Sequence, residues 1–288
     1  MKLFGLFDWF REILIDGIIA NFTGLFNEVN QKVGEIAGQV GQTPQGWNGN
    51  IFNMVRTLSE TVVIPIAGMI LTFVLCYELI QMVIEKNNMH EMDTFIFFKW
   101  FFKSFVAIFI LTNTFNIVMA VFDMSQHVVN RSASVISGNT AIDISSAMAD
   151  MRVQLEAMGT GELLGLYFES AFVNLTIWAL TICIFIIIYG RMIEIYLVTS
   201  LAPIPLATMV NREWGSIGNN YLKSLFALGF QGFLIMVCVG IYAVLIQTIT
   251  FTGNIHSAIW SCIGYTVLLV VALMRTGNLS KSIFTAHG

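Results

Sequence analysis

From Ser170 to Gly190 the chain reads SAFVNLTIWALTICIFIIIYG, 21 residues without a single Asp, Glu, Lys or Arg. As a helix rising ~1.5 Å per residue, such a run crosses the ~30 Å hydrocarbon core of a bilayer, and a soluble core has no use for it. The run stops at Arg191, with Glu194 three residues on, so one helical face can carry both charges as a pair at the membrane boundary. The next stretch, IYLVTSLAPIPLATMVN, is again uncharged from Ile195 to Asn211, but Pro203 and Pro205 each remove a backbone donor. A lipid-facing helix cannot easily replace those bonds, and irregular backbone at that depth must be buried in protein or line a cavity. The pattern predicts a full span, a charged hinge at Arg191 and Glu194, and a broken segment at Pro203 and Pro205 that enters the membrane or lies at its surface.

The rest of the chain follows the same rule. Of its 288 residues, 56% are hydrophobic and 11% charged, against about 25% charged in soluble domains. The fold class is therefore all-α, a polytopic helical membrane protein with about five spans. All four cysteines, Cys76, Cys183, Cys238 and Cys262, sit in apolar runs without metal spacing. Buried unpaired thiols are expected, with no cofactor or metal. Asp8, Arg11, Glu12 and Asp16 interrupt what would be the apolar core of a cleavable leader, leaving the first span to do the targeting.

Residues 3–26 place Phe4, Phe7, Leu14, Ile18, Phe22 and Leu25 on one helical face and Asp8, Glu12 and Asp16 on another. Such a helix either lies in the interface, anchored by Trp9, or packs its apolar face on protein. A Gly-, Gln- and Asn-rich linker follows to Asn53, with GQTPQGWNGN as its loop signature and Trp47 as a headgroup-level anchor. The region 1–60 thus reads as an amphipathic helix and an extracytoplasmic linker.

Residues 61–122 hold two spans. The first, from Thr61 to Ile84, has Pro65 near its start and Glu78 as its one charge, a carboxylate that must be paired, near headgroups, or facing water. The loop 85–95 carries His90, Glu91 and Asp93, which read as solvated charges. The second span, 95–122, begins with Lys99, Trp100 and Lys103 among phenylalanines, the pattern of interface anchors. Asn113, Thr114 and Asn116 are polar at membrane depth and suggest interhelical hydrogen bonds.

Residues 123–169 read as a long extracytoplasmic loop holding a short helix, 145–158, with Met148, Met151, Leu155 and Met158 on one face. That face can pack internally or bind a partner. Residues 170–288 hold three spans, the broken segment and a cytoplasmic tail. The uncharged stretch Ser224–Met274 is too long for one crossing and must be a hairpin turning at 248–256. Its small residues, Gly229, Gly232 and Gly264 among them, allow close helix packing.

Two topologies compete: five spans put Lys86, Lys99, Lys103, Arg191, Arg212, Lys223, Arg275 and Lys281 on one side and leave Arg56 and Arg131 near the other, whereas six spans, with the broken segment crossing, split the same residues six against four. The positive-inside rule favours the five-span split and then places the C-terminus in the cytoplasm and the N-terminus outside. Candidate acids and bases such as Glu78, Glu169 and His256 are scattered, and no nucleophile or metal motif joins them, so an enzyme is not expected.

The stretch IYGRMIEIYLVTSLAPIPLATMVNREW at 188–214, with NNYLKSLFALGFQGFLIMVCVGIYAVLIQ after it and VGEIAGQVGQTPQGWNGNIFNMVRTLSETVVIPIAGMIL before the first span, resembles the TrbL-type polytopic channel component of type IV secretion (conjugation) systems. It is most similar to versions from Gram-positive conjugative elements, over the chain from about Gly34 to the end. The resemblance implies a non-enzymatic subunit of the cytoplasmic membrane, in a ring-like homo-oligomer with other secretion subunits and ATPases, contacting DNA or relaxase-bound DNA. The sequence itself carries no basic stripe for phosphate binding. In the alternative reading, a small-solute or ion transporter, Glu78 is the coupling carboxylate.

Overall fold

The computed structural model describes residues 2–85, 94–139, 145–249 and 254–286. His90, Glu91 and Asp93 lie outside the described residues. The helices in chain order are α1 (Lys2–Val40), α2 (Pro44–Trp47), α3 (Gly49–Leu58), α4 (Ile64–Glu85), α5 (Thr94–Thr112), α6 (Thr114–Asn139), α7 (Ser145–Ala157), α8 (Thr160–Ser200), α9 (Pro203–Thr208), α10 (Gly215–Gln247) and α11 (Ile255–Ile283). A π-helical turn, Ser59–Val63, joins α3 to α4. No strand occurs among the described residues.

Among the described residues, four continuous helical stretches are long and apolar enough to cross a membrane: Gly49–Ile84, Thr160–Ser200, Gly215–Gln247 and Ile255–Ile283. The bent pair Phe97–Thr112 and Thr114–Ile136 brings the number to five if it acts as one span. The protein is a multi-pass helical membrane protein.

Several boundaries differ from the sequence reading. The second span is not continuous: it bends by 68° at Asn113. Three neighbouring polar side chains bond back to the helix rather than across to another. Thr112 Oγ1 donates to the Ile108 carbonyl (2.9 Å), Asn113 Nδ2 to Phe109 (2.9 Å) and Thr114 Oγ1 to Leu111 (2.9 Å). Such back-bonding competes with the backbone ladder and bends helices. Most of the expected loop 123–169 is helical, because α6 continues to Asn139 and α8 already starts at Thr160. Buried Val121, Phe122, Ser125 and Val129 supply the helical spacing that the Ser- and Asn-rich composition obscured. The hinge expected at Arg191 and Glu194 is absent, since α8 runs unbroken through both to Ser200. Pro65 is accommodated by the π turn before it, where the amide of Ile64 donates to the carbonyl of Ser59.

The chain forms two compact units. The first comprises 1–41, 129–189 and 233–276. Its core includes Ile18, Phe22, Leu25, Met151, Leu155, Leu163 and Leu166, all fully buried. From Leu14 onward, α1 therefore packs on protein, while Phe7, Trp9 and Phe10 before it are exposed. The helix extends well past residue 26, through the stretch expected to be a linker. It lies close to α8: a Cβ at Gly17 would fall 2.6 Å from the Tyr167 ring. Asn21 donates to Ser170 Oγ (2.8 Å) and accepts from Asn174 (2.7 Å). The methionine face of α7 is used internally, with Met151 and Leu155 in the core. The α10–α11 hairpin forms as expected, its arms joined by Tyr242 OH and Thr266 Oγ1 at 3.0 Å.

The second unit comprises 42–128, 190–232 and 277–288. Thr43 Oγ1 caps α2 by accepting from the Gly46 amide (3.0 Å), and Asn48 Oδ1 caps α3 by accepting from Asn50 and Ile51 (both 3.1 Å). Trp47 packs on Tyr196 with ring centroids 5.9 Å apart, and the Tyr196 hydroxyl donates to the Pro44 carbonyl at 2.6 Å. The expected headgroup anchor thus holds the turn to α8. All four cysteines are free, and Cys76 is exposed rather than buried.

Candidate functional site

The proline-broken segment lies in the second unit, where α8 ends at Ser200 because Pro203 and Pro205 have no N–H to continue the ladder. The amides of Ala202 and Ile204 take the carbonyls of Thr199 (3.2 Å) and Leu201 (3.1 Å) instead, tightening the chain into a turn. Pro203 then opens α9 at its first position, where a missing donor costs nothing. Pro203, Leu206 and Ala207 are buried, and Ala207 joins Ala67, Leu71 and Leu75 of α4 and Ala107 and Leu111 of α5 in one apolar layer. Irregular backbone is thereby covered by protein. The glycine at 218 is required by a close approach: a Cβ there would sit 2.6 Å from the Pro205 carbonyl oxygen.

After α9 the chain turns through Asn211, which is buried at 1% exposure. Its Oδ1 accepts from the amides of Glu213 (2.8 Å) and Trp214 (3.1 Å), shaping the turn into α10. Its Nδ2 donates to Glu78 Oε2 at 2.8 Å. Glu78, 5% exposed, receives Lys103 on its other oxygen, so one carboxylate ties α4, α5 and the turn after α9 together. A buried carboxylate without such partners would be strongly unfavourable. Around this core, Glu213 accepts from Tyr77 OH (3.1 Å) and Gln81 Nε2 (2.7 Å). The Trp214 ring stacks on Tyr77 and Phe73, at centroid distances of 5.7 Å and 5.5 Å.

Two residues expected to anchor the membrane interface point into this assembly. Lys103 pairs with Glu78, and Trp100 Nε1 donates to the Leu75 carbonyl at 3.0 Å. Lys99 and Trp9 are exposed. Arg191 and Glu194 do not pair with each other. Arg191 is buried and donates to the carbonyls of Leu228 and Gly229, both at 3.2 Å, while Glu194 pairs with Lys281 at 3.1 Å. Gly229 meets α6: a Cβ there would lie 2.2 Å from Ser125 Oγ and 3.0 Å from its Cβ. Gly232 is buried, whereas Gly264 opens on empty space with no heavy atom within 4 Å of an added Cβ.

The structure therefore brings Glu78 and Lys103 together beside the Pro203–Pro205 element and leaves Arg191 and Glu194 with partners on α10 and α11. Sequence reasoning missed Asn211, Gln81, Glu213 and Trp214. The signal was the NREW run directly after the broken segment, where an Asn side chain can close a turn on the amides two and three residues on.

Long apolar helices, a proline-broken element buried against two of them and a carboxylate closed by lysine and asparagine define a polytopic membrane protein built around internal helix packing. A family model described as TrbL/VirB6 plasmid conjugal transfer like protein matches residues 29–203, more than half of the chain. The chain belongs to this family. No curated protein and no solved structure matches it.

Proposed function

We propose that the chain is a non-enzymatic channel or scaffold subunit of a conjugative type IV secretion machine, of the kind carried by Gram-positive elements, and that it helps relaxase-bound DNA cross the cytoplasmic membrane. Membership of the plasmid conjugal transfer family is the observation that carries this reading. Other membrane subunits, ATPases of the machine and further copies of the chain are its partners, with the N-terminus outside and the C-terminus in the cytoplasm. The broken element, fixed by Asn211, Glu78 and Lys103, is the part that shapes the pore mouth or docks an ATPase. Arg191 and Glu194 hold the end of α8 in place for it. Crosslinking during transfer tests the reading: the transferred strand is recovered with the tagged chain from mating cells, and its absence while a neighbouring subunit recovers it counts against DNA contact.

The second reading is a small-solute or ion transporter, favoured by the burial of Glu78 in the candidate span Gly49–Ile84. Both Glu78 oxygens are engaged by Lys103 and Asn211, an arrangement suited to a fixed tie more than to a carboxylate that loads and unloads. Solute flux abolished by Glu78→Gln with conjugal transfer intact is the result that favours the transporter.

A further inference from the structure

In the first unit, Glu28, Lys32 and Ile36 of α1 line a narrow cavity together with Ile177, Leu180 and Ile184 of α8. Those three α8 residues sit in the middle of the charge-free run Ser170–Gly190, so this part of α1 stands at the depth of the hydrocarbon core. Along the edge of that packed face runs a polar row, with Lys32 mostly buried and Glu28 and Glu35 half-buried. Lys32 pairs with Glu35 at 2.6 Å and Glu28 at 3.6 Å, and Gln31 donates to Glu35 at 2.6 Å. Asn27, Gln31, Gly34 and Gly38 are exposed, and added Cβ atoms at Gly34 and Gly38 would meet nothing within 4 Å. On α8 at the same level the exposed residues include Trp178, Ile182, Phe185 and Ile186, a surface that lipid covers well. Charged groups at bilayer depth face protein interior or water, because lipid solvates them poorly.

We propose that the face of α1 carrying Asn27, Gln31, Gly34 and Gly38 borders a water-filled passage at membrane depth. This rests on the reading of the chain as a transfer subunit and names the helix that lines the path. The wall is amide-rich and weakly acidic at its edge, with Asn27 and Gln31 exposed and Glu28 and Glu35 half-buried beside them. Such a wall keeps water in the passage without holding a polyanionic strand, which a lysine- and arginine-lined wall would retain.

The test uses single cysteines in a chain whose four native cysteines are replaced by alanine, produced in donor cells with the machine assembled. Gln31→Cys and Gly38→Cys are compared with Ile182→Cys and Phe185→Cys, each present in the membrane at the level of the parent. The probe is a charged, membrane-impermeant methanethiosulfonate, applied to intact cells and to inverted membrane vesicles. The proposal expects both α1 cysteines to react from at least one side and both α8 cysteines to react from neither. If the α1 cysteines react from neither side, yet react after denaturation, the face is covered by lipid or protein and the proposal is overturned. Equal reaction at the α8 positions overturns it as well. The readout does not depend on conjugation: labelled α1 cysteines in a chain whose deletion leaves DNA transfer unchanged would sink the transfer reading and leave the passage standing.

Discussion

Asn211 and Glu78 are 133 residues apart in sequence and joined by a 2.8 Å hydrogen bond from Nδ2 to Oε2. Through Lys103 on its other oxygen, that carboxylate holds the turn after the proline-broken element to α4 and α5. Breaking the pair from the lysine side leaves a buried negative charge with one partner, which for fully buried pairs costs 3–5 kcal/mol. Because Lys103 is one-third exposed, Lys103→Met is expected to cost about 2 kcal/mol, read as earlier thermal unfolding in detergent. The double variant Glu78→Leu/Lys103→Met should recover part of the loss. A double variant no more stable than the lysine variant would show that the pair is not a unit.

Asn211→Ala removes both the donor to Glu78 and the acceptor for the amides of Glu213 and Trp214. A loss of about 2 kcal/mol is expected from the stranded groups, together with new proteolytic cleavage between α9 and α10. Asn211→Asp keeps the acceptor and places a second carboxylate beside Glu78, so it should be no better. Protection of that turn in Asn211→Ala membranes equal to the parent would contradict this assignment.

Arg191 is buried against two backbone carbonyls and has no acidic partner among the described residues. Desolvating a guanidinium is costly, and two hydrogen bonds to carbonyls offset only part of that cost. Arg191→Met should therefore fold with stability near that of the parent. Its transfer phenotype then separates the roles: parental stability with lost transfer marks a working charge, whereas parental transfer marks a packing residue.

Gly229 and Gly264 were equivalent in the sequence as small residues of one apolar hairpin. The structure separates them, because Gly229 faces Ser125 and Gly264 faces open space. Gly229→Leu should destabilise by about 1–3 kcal/mol through overpacking, while Gly264→Leu leaves monomer stability unchanged. Comparing their thermal unfolding in detergent checks both.

The apolar runs made the helical class and most spans legible, since a charge-free run of 21 residues admits few alternatives. The buried break at Pro203 and Pro205 was legible for the same reason, as a missing donor must be sheltered. The bend at Asn113 was not, because Asn and Thr in a span are compatible with bonds to a neighbour or to their own helix, and only geometry distinguishes the two. Lys103 and Trp100 looked like interface anchors because amphipathic side chains beside phenylalanines suit a headgroup as well as a neighbouring helix. Their partners on α4, Glu78 and Leu75, lie 25 residues away, where local pattern carries no information. The long α1 was cut short in the sequence because its Gly-, Gln- and Asn-rich half has weak helix propensity, which packing along its apolar face overrides.

The proposed orientation rests on the basic residues near span ends, and labelling of single cysteines on intact cells checks it. A cysteine at Ser145 should react with an impermeant reagent, and cysteines at Asn219 and Ser282 should not. Reaction at all three would place the C-terminus outside and remove the basis for a cytoplasmic broken element.

The most direct test of the account is the frequency of conjugal transfer from donors in which this chain is deleted in frame and then restored at a distant locus. The account predicts that transfer collapses on deletion and returns with the restored chain, while the other membrane subunits remain at normal levels. Transfer that continues at the parental frequency in the deletion donor would contradict it.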